Sequence, residues 1–434
     1  MHENQRDGWW SGRRLAVVGV GVVAALIAAG CGDGGGDAEA TATTETTAAP
    51  AATTTTTAPT TTTTEPPGFG EAWTTIDEGW WDFTEIDQVE VTVVDGRVLA
   101  LADAQLLELD LDELTWRPVE DLAASGILPI ELGDDGEPLP SRGQVAGSAG
   151  VVVVAESTPV TSAVTAEGAN FEWWFGVDDG GGWRRLGPED TGVDQRLIGP
   201  EPRFRFQQVV DTVASDGHVH VVGRGQWWRP FSTSGVEFTV VTRRPDGTWT
   251  TWASPDPDVY SGPAAAATDG ASTVVLAGAP REAAGLHTWR STDNGTTWEF
   301  TVEPAVPDDV RTTRVSAIAH GPAGWVVVAH EDLTTDGVTT SGSRSVSWTS
   351  ADALTWSRHA IDQPGDEPGK PLALTVAADR YVRRDNGGVE LWESVDGITW
   401  TPLAEQVGAV ELVGVGDRLI AIDYLSTSIT PPLP

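Results

Sequence analysis

The sequence predicts an all-β protein in which one four-stranded unit repeats along the chain. A turn motif, S-x-D-x-G-x-T-W, is complete at 291–298 and recurs in looser copies. Apolar hairpins with polar turns lie upstream of the copies. No strongly amphipathic helical pattern is present from residue 68 onward. Such a repeat predicts a β-propeller, in which four-stranded blades pack side by side around a channel.

The complete copy of the motif combines residue types that favour a tight hairpin. Asn294-Gly295 is a turn pair, because Gly accepts the positive φ that such a hairpin needs. Ser291 and Asp293 carry short polar side chains that can hydrogen-bond to nearby backbone N–H groups. Trp298 begins the returning strand with a large apolar surface to bury. We therefore expect a hairpin held by its own side chains, called a stapled turn below.

Five other segments are looser copies of this turn. Those at 348–356 and 392–400 are one residue shorter, and three more end at Trp116, Trp183 and Trp249. The turn resembles the Asp-box, or BNR repeat, of sialidase-like β-propellers, which implies a structural role for it on the face opposite the active site. The structural positions so assigned are Ser291, Asp293, Gly295, Trp298, Ser350, Asp352, Trp356, Ser394, Asp396 and Trp400.

Two counts give the number of blades. Six stapled turns suit the outer strands, and their Trp residues fall roughly 45–65 residues apart. Seven apolar hairpins suit the inner strands: Val91–Ala102, Val145–Ala155, Val209–Val222, Ala264–Ala277, Val315–Ala329, Leu372–Arg383 and Val410–Ile422. One blade therefore lacks outer strands. Ala72–Ile76 resembles the strand after a stapled turn, and its pairing with Val410–Ile422 would close a seven-bladed ring. Six blades is the alternative.

Residues 1–30 have the features of a secretory signal. Arg13-Arg14 precede an apolar run, and small residues lead directly to Cys31. This end resembles the lipobox of bacterial lipoproteins, although position 28 is Ala where that pattern prefers Leu. The alternative is a plain membrane anchor, but the run is shorter than the ~20 residues of a spanning helix. The resemblance implies that Cys31 is lipidated and holds the chain on the outer face of the cell membrane.

Two further regions follow. Residues 31–67 are nearly all Gly, Ala, Thr, Glu, Asp and Pro, which predicts a disordered tether because too little apolar surface can be buried. Residues 68–434 are assigned to the propeller, which we expect to be monomeric. Cys31 is the only Cys, so the fold rests on packing without intrachain disulfides.

The net charge of −38 argues against nucleic acid as a partner, since phosphates would be repelled. No cofactor motif is present. His218-Val219-His220 would place two imidazoles on one strand face, but no third ligand lies nearby in the sequence, so we predict no metal site.

Ligand-binding candidates lie on the face away from the stapled turns, the loop face. The second strand of each blade should end there and bring ionisable side chains to one mouth of the channel. These strand ends are Asp103, Glu156, Arg224, Gly278, His330, Asp385 and Asp423. An aromatic loop, with Trp227, Trp228 and Arg229, should extend from the same face. The alternatives are solvated strand ends and a loop that folds its aromatics onto the blade.

We expect the loop face to bind a protein or a glycan without catalysis, because exposed Trp stacks on sugars and anchors protein partners. The alternative is a glycoside hydrolase of sialidase-like architecture. Sialidases carry an F/Y-R-I-P motif near the start of the domain. The nearest match, Arg203–Phe206, lies in mid-domain and lacks Ile-Pro.

Replacing Cys31 tests the predicted anchor. Cys31→Ser should abolish lipidation, because the thiol that accepts the lipid is gone, and should shift the protein to a soluble or signal-retaining form. Membrane fractionation and intact mass measure both effects. Unchanged membrane association and mass in the variant would exclude the lipoprotein assignment.

Overall fold

A computed structural model shows an all-β, seven-bladed propeller in which each blade is a four-stranded antiparallel sheet. The predicted fold and blade number are confirmed. The signal, Cys31 and the tether fall outside the described residues. Within those residues, no helix is long and apolar enough to cross a membrane. The described residues are 73–76, 89–102, 104–128, 143–165, 168–192, 204–228, 235–254, 262–280, 284–303, 306–361, 371–385, 390–403, 407, 409, 411–422 and 427–431.

Strand β1 (Thr74–Ile76) precedes the first complete blade along the chain. Blade 1 comprises β2 (Val89–Val94), β3 (Arg97–Ala102), β4 (Gln105–Asp110) and β5 (Thr115–Asp121). Blade 2 comprises β6 (Gln144–Ser148), β7 (Val151–Thr165), β8 (Gly168–Asp178) and β9 (Arg184–Leu186), followed by helix α1 (Pro188–Thr191). Blade 3 comprises β10 (Phe204–Ser215), β11 (His218–Trp228), β12 (Gly235–Arg243) and β13 (Trp249–Ala253).

Blade 4 comprises β14 (Pro263–Thr268), β15 (Val274–Gly278), β16 (Leu286–Ser291) and β17 (Glu299–Glu303). Blade 5 comprises β18 (Val310–Gly321), β19 (Gly324–Thr334), β20 (Thr340–Ser350) and β21 (Ser357–Ala360). Blade 6 comprises β22 (Pro371–Ala377), β23 (Arg380–Asp385), β24 (Leu391–Ser394) and β25 (Thr401–Pro402). Blade 7 comprises β26 (Glu411–Val415), β27 (Arg418–Ile422), β28 (Thr427–Ile429) and, as its outermost strand, β1.

The turns between strands follow from local residue chemistry. Asn294 and Gly295 both have positive φ, 52° and 79°, as a tight hairpin requires. In this stapled turn Ser291 Oγ accepts a hydrogen bond from the Gly295 N–H at 2.8 Å, and Asp293 Oδ1 accepts one from the Thr297 N–H at 2.8 Å. The turn backbone is therefore satisfied by two side chains of its own sequence.

The core is divided among the blade interfaces. In the described part of the chain, buried apolar side chains form seven clusters, and each cluster joins two neighbouring blades. A blade therefore has no separate core, and its sheet is stable only between two others.

One Trp of every blade joins the cluster shared with the preceding blade. In blades 1–6 this Trp is one of the first two residues of the fourth strand or lies just before it. Its indole packs against the sheet of the preceding blade. These residues are Trp116, Trp183, Trp249, Trp298, Trp356 and Trp400. Two of them also cross the interface with a hydrogen bond: Trp116 Nε1 donates to Thr427 Oγ1 at 3.0 Å, and Trp356 Nε1 donates to Thr288 Oγ1 at 3.3 Å.

Closure of the ring uses strands from both ends of the chain. Trp73 packs in the cluster between blades 6 and 7, the place that the other blades give to the Trp of the fourth strand. β1 pairs with β28 through Thr74↔Ile429, Thr75↔Ser428 and Ile76↔Thr427. The sequence predicted that this segment would join the last blade. It did not identify β28, which lies between β1 and the hairpin of β26 and β27.

Deleting the closing segment tests its contribution. Loss of Gly68–Glu78 should lower the free energy of unfolding by about 3–5 kcal/mol, because the deletion removes a packed Trp and exposes the edge of blade 7. Denaturant titration measures the change. Deletion of Asp37–Thr64 is the control and should cost almost nothing. Equal stability of both deletions and the parent would contradict the closure.

Candidate functional site

A ring of equivalent positions marks the candidate site in the central channel. Counted from the turn between the two innermost strands, the fifth residue pair of blades 7, 1, 2 and 3 carries polar side chains. These are Glu411, Glu90, Gln144 and Asp211. The same position in blades 4, 5 and 6 is occupied by Pro263, Ala317 and Ala373. The channel therefore has a polar half and an apolar half at this level.

Backbone irregularities occur beside this level in the innermost strands of blades 3 to 6. The register shifts between Val209 and Asp211 in β10, and β14, β18 and β22 shift at matching places. A bulge changes the direction of the side chain next to it and ends regular pairing. In blade 3 the shift lies directly before Asp211.

Hydrogen bonds within the polar half link neighbouring blades. Gln144 Nε2 donates to Glu90 Oε2 at 3.0 Å. Asp211 Oδ2 accepts from the Ala266 N–H of blade 4 at 2.7 Å, and Asp211 Oδ1 accepts from the Thr212 N–H at 2.8 Å. The Asp211 carboxylate therefore ties blade 3 to blade 4, while Glu90 is held by blade 2.

The three carboxyl groups interact across the channel and resist ionisation. Burial raises the pKa of Glu90 well above its usual value, and the charges of Glu411 and Asp211 raise it further. The hydrogen bond from Gln144 lowers this pKa, but its effect is smaller. Burial raises the pKa of Asp211 to about 6, although two backbone N–H groups oppose the shift. Burial raises the pKa of Glu411 to about 7, with the Arg384 charge opposing and the Asp211 charge adding to the shift. All three residues are half-buried: protein surrounds the carboxyl groups, and part of each residue stays exposed to solvent.

The chemistry of this cluster is mixed rather than simply acidic. Protonated carboxyls and the Gln144 amide donate hydrogen bonds, ionised carboxyls accept them, and the guanidinium of Arg384 contributes donors and positive charge. Such a set suits a ligand rich in hydroxyl groups, because every hydroxyl both donates and accepts. We call Glu90, Gln144, Asp211, Glu411 and Arg384 the channel cluster.

Three blades continue past the channel cluster toward the loop face. In blade 3, β10 runs from Phe204, seven residues before Asp211, and β11 runs on to Trp228. Blade 2 contributes a hairpin with strands of 15 and 11 residues, and blade 5 contributes three strands of 11 or 12 residues. Strands in the other blades have 2 to 7 residues. The strands of blades 2, 3 and 5 therefore extend further toward the loop face than the strands of the other blades.

The predicted aromatic loop is partly a strand. Trp227 and Trp228 are the last residues of β11, paired with Arg205 and Phe204 of β10, so these tryptophans extend a sheet of blade 3. The sequence pattern missed this because the two Gly residues that flank Arg224 resemble a strand end. The backbone alone of Trp227 and Trp228 is described, and Arg229 lies outside the described residues. Arg224 lies within β11 and is half-buried.

Three of the predicted strand-end residues are buried, whereas Arg224 is half-buried. His330 is 2% exposed, with Nε2 at 3.7 Å from Asp332 Oδ1, and Glu156 and Asp385 are 3% and 2% exposed. Burial argues against direct ligand contact by these side chains. Asp103 and Asp423 lie outside the described residues, and Gly278 is simply the end of β15.

The two imidazoles of β11 share one face, as the sequence predicted. The rings of His218 and His220 stack with centroids 6.2 Å apart. His220 Nδ1 lies 3.0 Å from Thr242 Oγ1, and burial lowers the His220 pKa to about 3. Among the described residues, no group of three His, Cys, Asp or Glu side chains is placed to hold a metal ion. A structural role in blade 3 accounts for His220.

Comparisons with known proteins identify no family. No protein-family model matches the chain, and no curated protein matches it. Among solved structures, YCF48 from Cyanidioschyzon merolae is similar at 13% identity, with a TM-score of 0.43, over 83% of this chain and 98% of that one. A streptogramin B lyase is similar at 12% identity, with a TM-score of 0.44, over 83% and 97%. A Trypanosoma rangeli sialidase is similar at 12% identity, with a TM-score of 0.36, over 69% and 56%. At these values the likenesses say nothing about activity.

Stability as a function of pH tests the channel cluster. The folded state raises the pKa of Glu411 to about 7, so its contribution to stability is full below the unfolded value and is lost as pH rises toward 7. Glu411→Gln removes this loss. Relative to the parent, the melting temperature of the variant should therefore rise by at least about 2 °C between pH 4 and pH 8.

Glu299→Gln is the matched control, because Glu299 is exposed at the start of the outer strand β17. It gives the effect of removing an exposed carboxylate outside the channel. A Glu411→Gln difference that grows with pH no more than the Glu299→Gln difference would show that Glu411 is not forced toward its protonated form.

Proposed function

We propose that this protein is a lipid-anchored, extracytoplasmic propeller that binds a glycan over the polar half of its channel, without catalysis. The observation that carries the proposal is the channel cluster, in which carboxyl groups with raised pKa values meet an amide and a guanidinium. Donors and acceptors at one half-buried place fit sugar hydroxyls better than they fit a flat protein surface. The sequence of residues 1–31 supports the lipid anchor.

The extended strands of blade 3 support the same ligand class. Trp227 and Trp228 lie at the end of β11, opposite Phe204 and Arg205, so aromatic and basic residue types are concentrated on one projecting hairpin. Aromatic rings stack on sugar faces, and a guanidinium pairs with a carboxylate in two hydrogen bonds. A glycan that carries an acidic sugar satisfies both features.

The hydrogen bonds of Asp211 favour binding over hydrolysis. A glycosidase needs one carboxyl group free to donate a proton and a second free to attack or to activate water. Both oxygens of Asp211 already accept backbone N–H groups, and Glu90 accepts the amide of Gln144. Two of the three carboxyls are therefore engaged in holding blades together.

One observation favours the alternative, a glycoside hydrolase. Burial raises the pKa of Glu411 to about 7 and that of Asp211 to about 6, so both carboxyl groups can exchange protons near neutral pH. In that case Glu411 protonates the leaving oxygen, and Asp211 acts on the opposite side of the sugar.

A glycan array with the full chain in detergent micelles tests the proposal. A retained glycan should lose at least tenfold in affinity, about 1.4 kcal/mol, when Trp227 and Trp228 are both changed to Ala, because stacking is lost. The fold should survive. Trp298→Ala is the contrasting variant and should lower stability, since Trp298 packs between blades 3 and 4.

The outcomes separate the two functions. Unaltered glycan after long incubation, with weaker binding in Glu411→Gln and unchanged binding in Glu299→Gln, supports a binding protein. Release of sugar that disappears in Glu411→Gln supports the hydrolase. An array without any retained glycan, or parental affinity in the double Trp variant, contradicts the glycan proposal.

A further inference from the structure

The channel cluster contains more acidic than basic groups. Glu411 of blade 7, Glu90 of blade 1 and Asp211 of blade 3 place three carboxyl groups at one level of the channel. Arg384 of blade 6 supplies the one guanidinium of the cluster. The other residues at this level carry no charge: Gln144, Pro263, Ala317 and Ala373. When every carboxyl group is ionised, the cluster therefore holds three negative charges and one positive charge.

Hydrogen bonds restrain these carboxyl groups while their charges act on one another. The charges of Glu411 and Asp211 both act on Glu90, and the charge of Asp211 acts on Glu411. Gln144 Nε2 donates to Glu90 Oε2 at 3.0 Å, and both oxygens of Asp211 accept backbone N–H groups, at 2.7 and 2.8 Å. Glu90 and Asp211 are therefore not free to move apart, and binding a proton is the way to relieve the repulsion.

The channel cluster changes its charge between mildly acidic and mildly alkaline pH. Burial raises the pKa of Asp211 to about 6 and that of Glu411 to about 7, so both groups lose protons as the pH rises through this range. By contrast, backbone N–H groups lower the pKa of Asp352 in a stapled turn, so this carboxylate is ionised throughout. Burial lowers the pKa of His220 to about 3, so its imidazole is neutral throughout. A rise in pH therefore adds negative charge in the channel while these two groups keep their charge.

An acidic sugar over the channel cluster is sensitive to this change. A sugar carboxylate has an ordinary pKa of about 3–4, so it is ionised over the whole range. Beside ionised Glu411 and Glu90 it is repelled, because like charges interact strongly where protein replaces part of the water. A protonated carboxyl group has no charge and donates a hydrogen bond to the ligand. Protonation therefore replaces a repulsion by a favourable contact.

We propose that an acidic glycan binds over the channel cluster together with a proton, so that the protein captures the glycan at mildly acidic pH and releases it above neutral pH. This inference rests on the proposed function, in which the ligand carries an acidic sugar. The proton comes from solvent and is shared among the carboxyl groups of Glu411, Glu90 and Asp211, whose titrations are coupled. Glycan and proton then increase each other's affinity by the same factor.

A glycan array with the full chain in detergent micelles, read at about pH 5.5 and about pH 8, tests this coupling. The array carries acidic oligosaccharides and their carboxyl-reduced forms. A retained acidic glycan should bind at least about tenfold more weakly at the higher pH, and its carboxyl-reduced form should lose less affinity. Titration calorimetry of that glycan near neutral pH, in two buffers of different ionisation enthalpy, should show net uptake of protons on binding.

Glu411→Gln removes one of the titrating groups. The affinity of this variant should fall less between the two pH values than the affinity of the parent. Glu299→Gln is the matched control, because Glu299 is exposed at the start of β17, and it should follow the parent. Melting temperatures at both pH values show whether each variant is folded under the conditions of the array.

The outcomes distinguish this inference from the function on which it rests. Equal affinity of the parent at both pH values, stronger binding at the higher pH, or binding without proton uptake overturns the inference and leaves the proposed function in place. Retention of carboxyl-reduced forms alone has the same meaning, and so does a Glu411→Gln variant with the full pH dependence of the parent. An array without any retained glycan at either pH removes the proposed function and this inference with it.

Discussion

The contact between one Trp and the sheet of the preceding blade sets the architecture. A four-stranded sheet of this length cannot bury both faces by itself, and each blade here completes the core of its neighbour. The indole near the start of the outermost strand contacts the preceding blade across that interface. The indoles of Trp116 and Trp356 also donate a hydrogen bond to a Thr hydroxyl of that blade. A linear row of blades leaves one face of its first blade and one face of its last blade uncovered, unless these two blades pack against each other. Because Trp73 precedes the whole series, the first described residues of the chain supply the contact that the last blade lacks.

Carboxyl groups in two places give the ring opposite responses to pH. Stapled-turn residues such as Asp352 accept backbone N–H groups that lower their pKa, so their contribution is present above the unfolded value and is lost as pH falls. Glu411 and Asp211 contribute most when protonated, and their contribution is lost as pH rises to about 6 or 7. Buried His220 adds to the losses at low pH, because its pKa is held near 3 while the unfolded value is 6.5. The stapled turns thus stabilise the fold most at neutral pH, whereas the channel carboxyls stabilise it most at acid pH.

The sequence predicts local structure here better than it predicts the site. Turn pairs such as Asn294-Gly295 and the apolar inner strands are determined by neighbours in the chain, so all seven inner hairpins and the blade number could be predicted. Glu90, Asp211 and Glu411 are far apart in the sequence and become one cluster only when the ring closes. A regular spacing does exist, since each lies five residues before an inner turn. It has a meaning only once the turns of different blades are aligned.

In blade 6, side chains that alternate along strand β23 take part in two different interfaces. Successive side chains of a strand point to opposite faces of the sheet, so the consecutive residues Arg383 and Arg384 cannot act in one place. Arg383 enters the Trp-lined interface with blade 5, whereas the charge of Arg384 acts on Glu411 of blade 7. The bulge between Pro371 and Ala373 leaves Ala373 opposite Arg384, so a small side chain stands where blades 1, 3 and 7 carry carboxyls. The arginine of the channel cluster therefore comes from the second strand of blade 6, because the innermost strand leaves room for it.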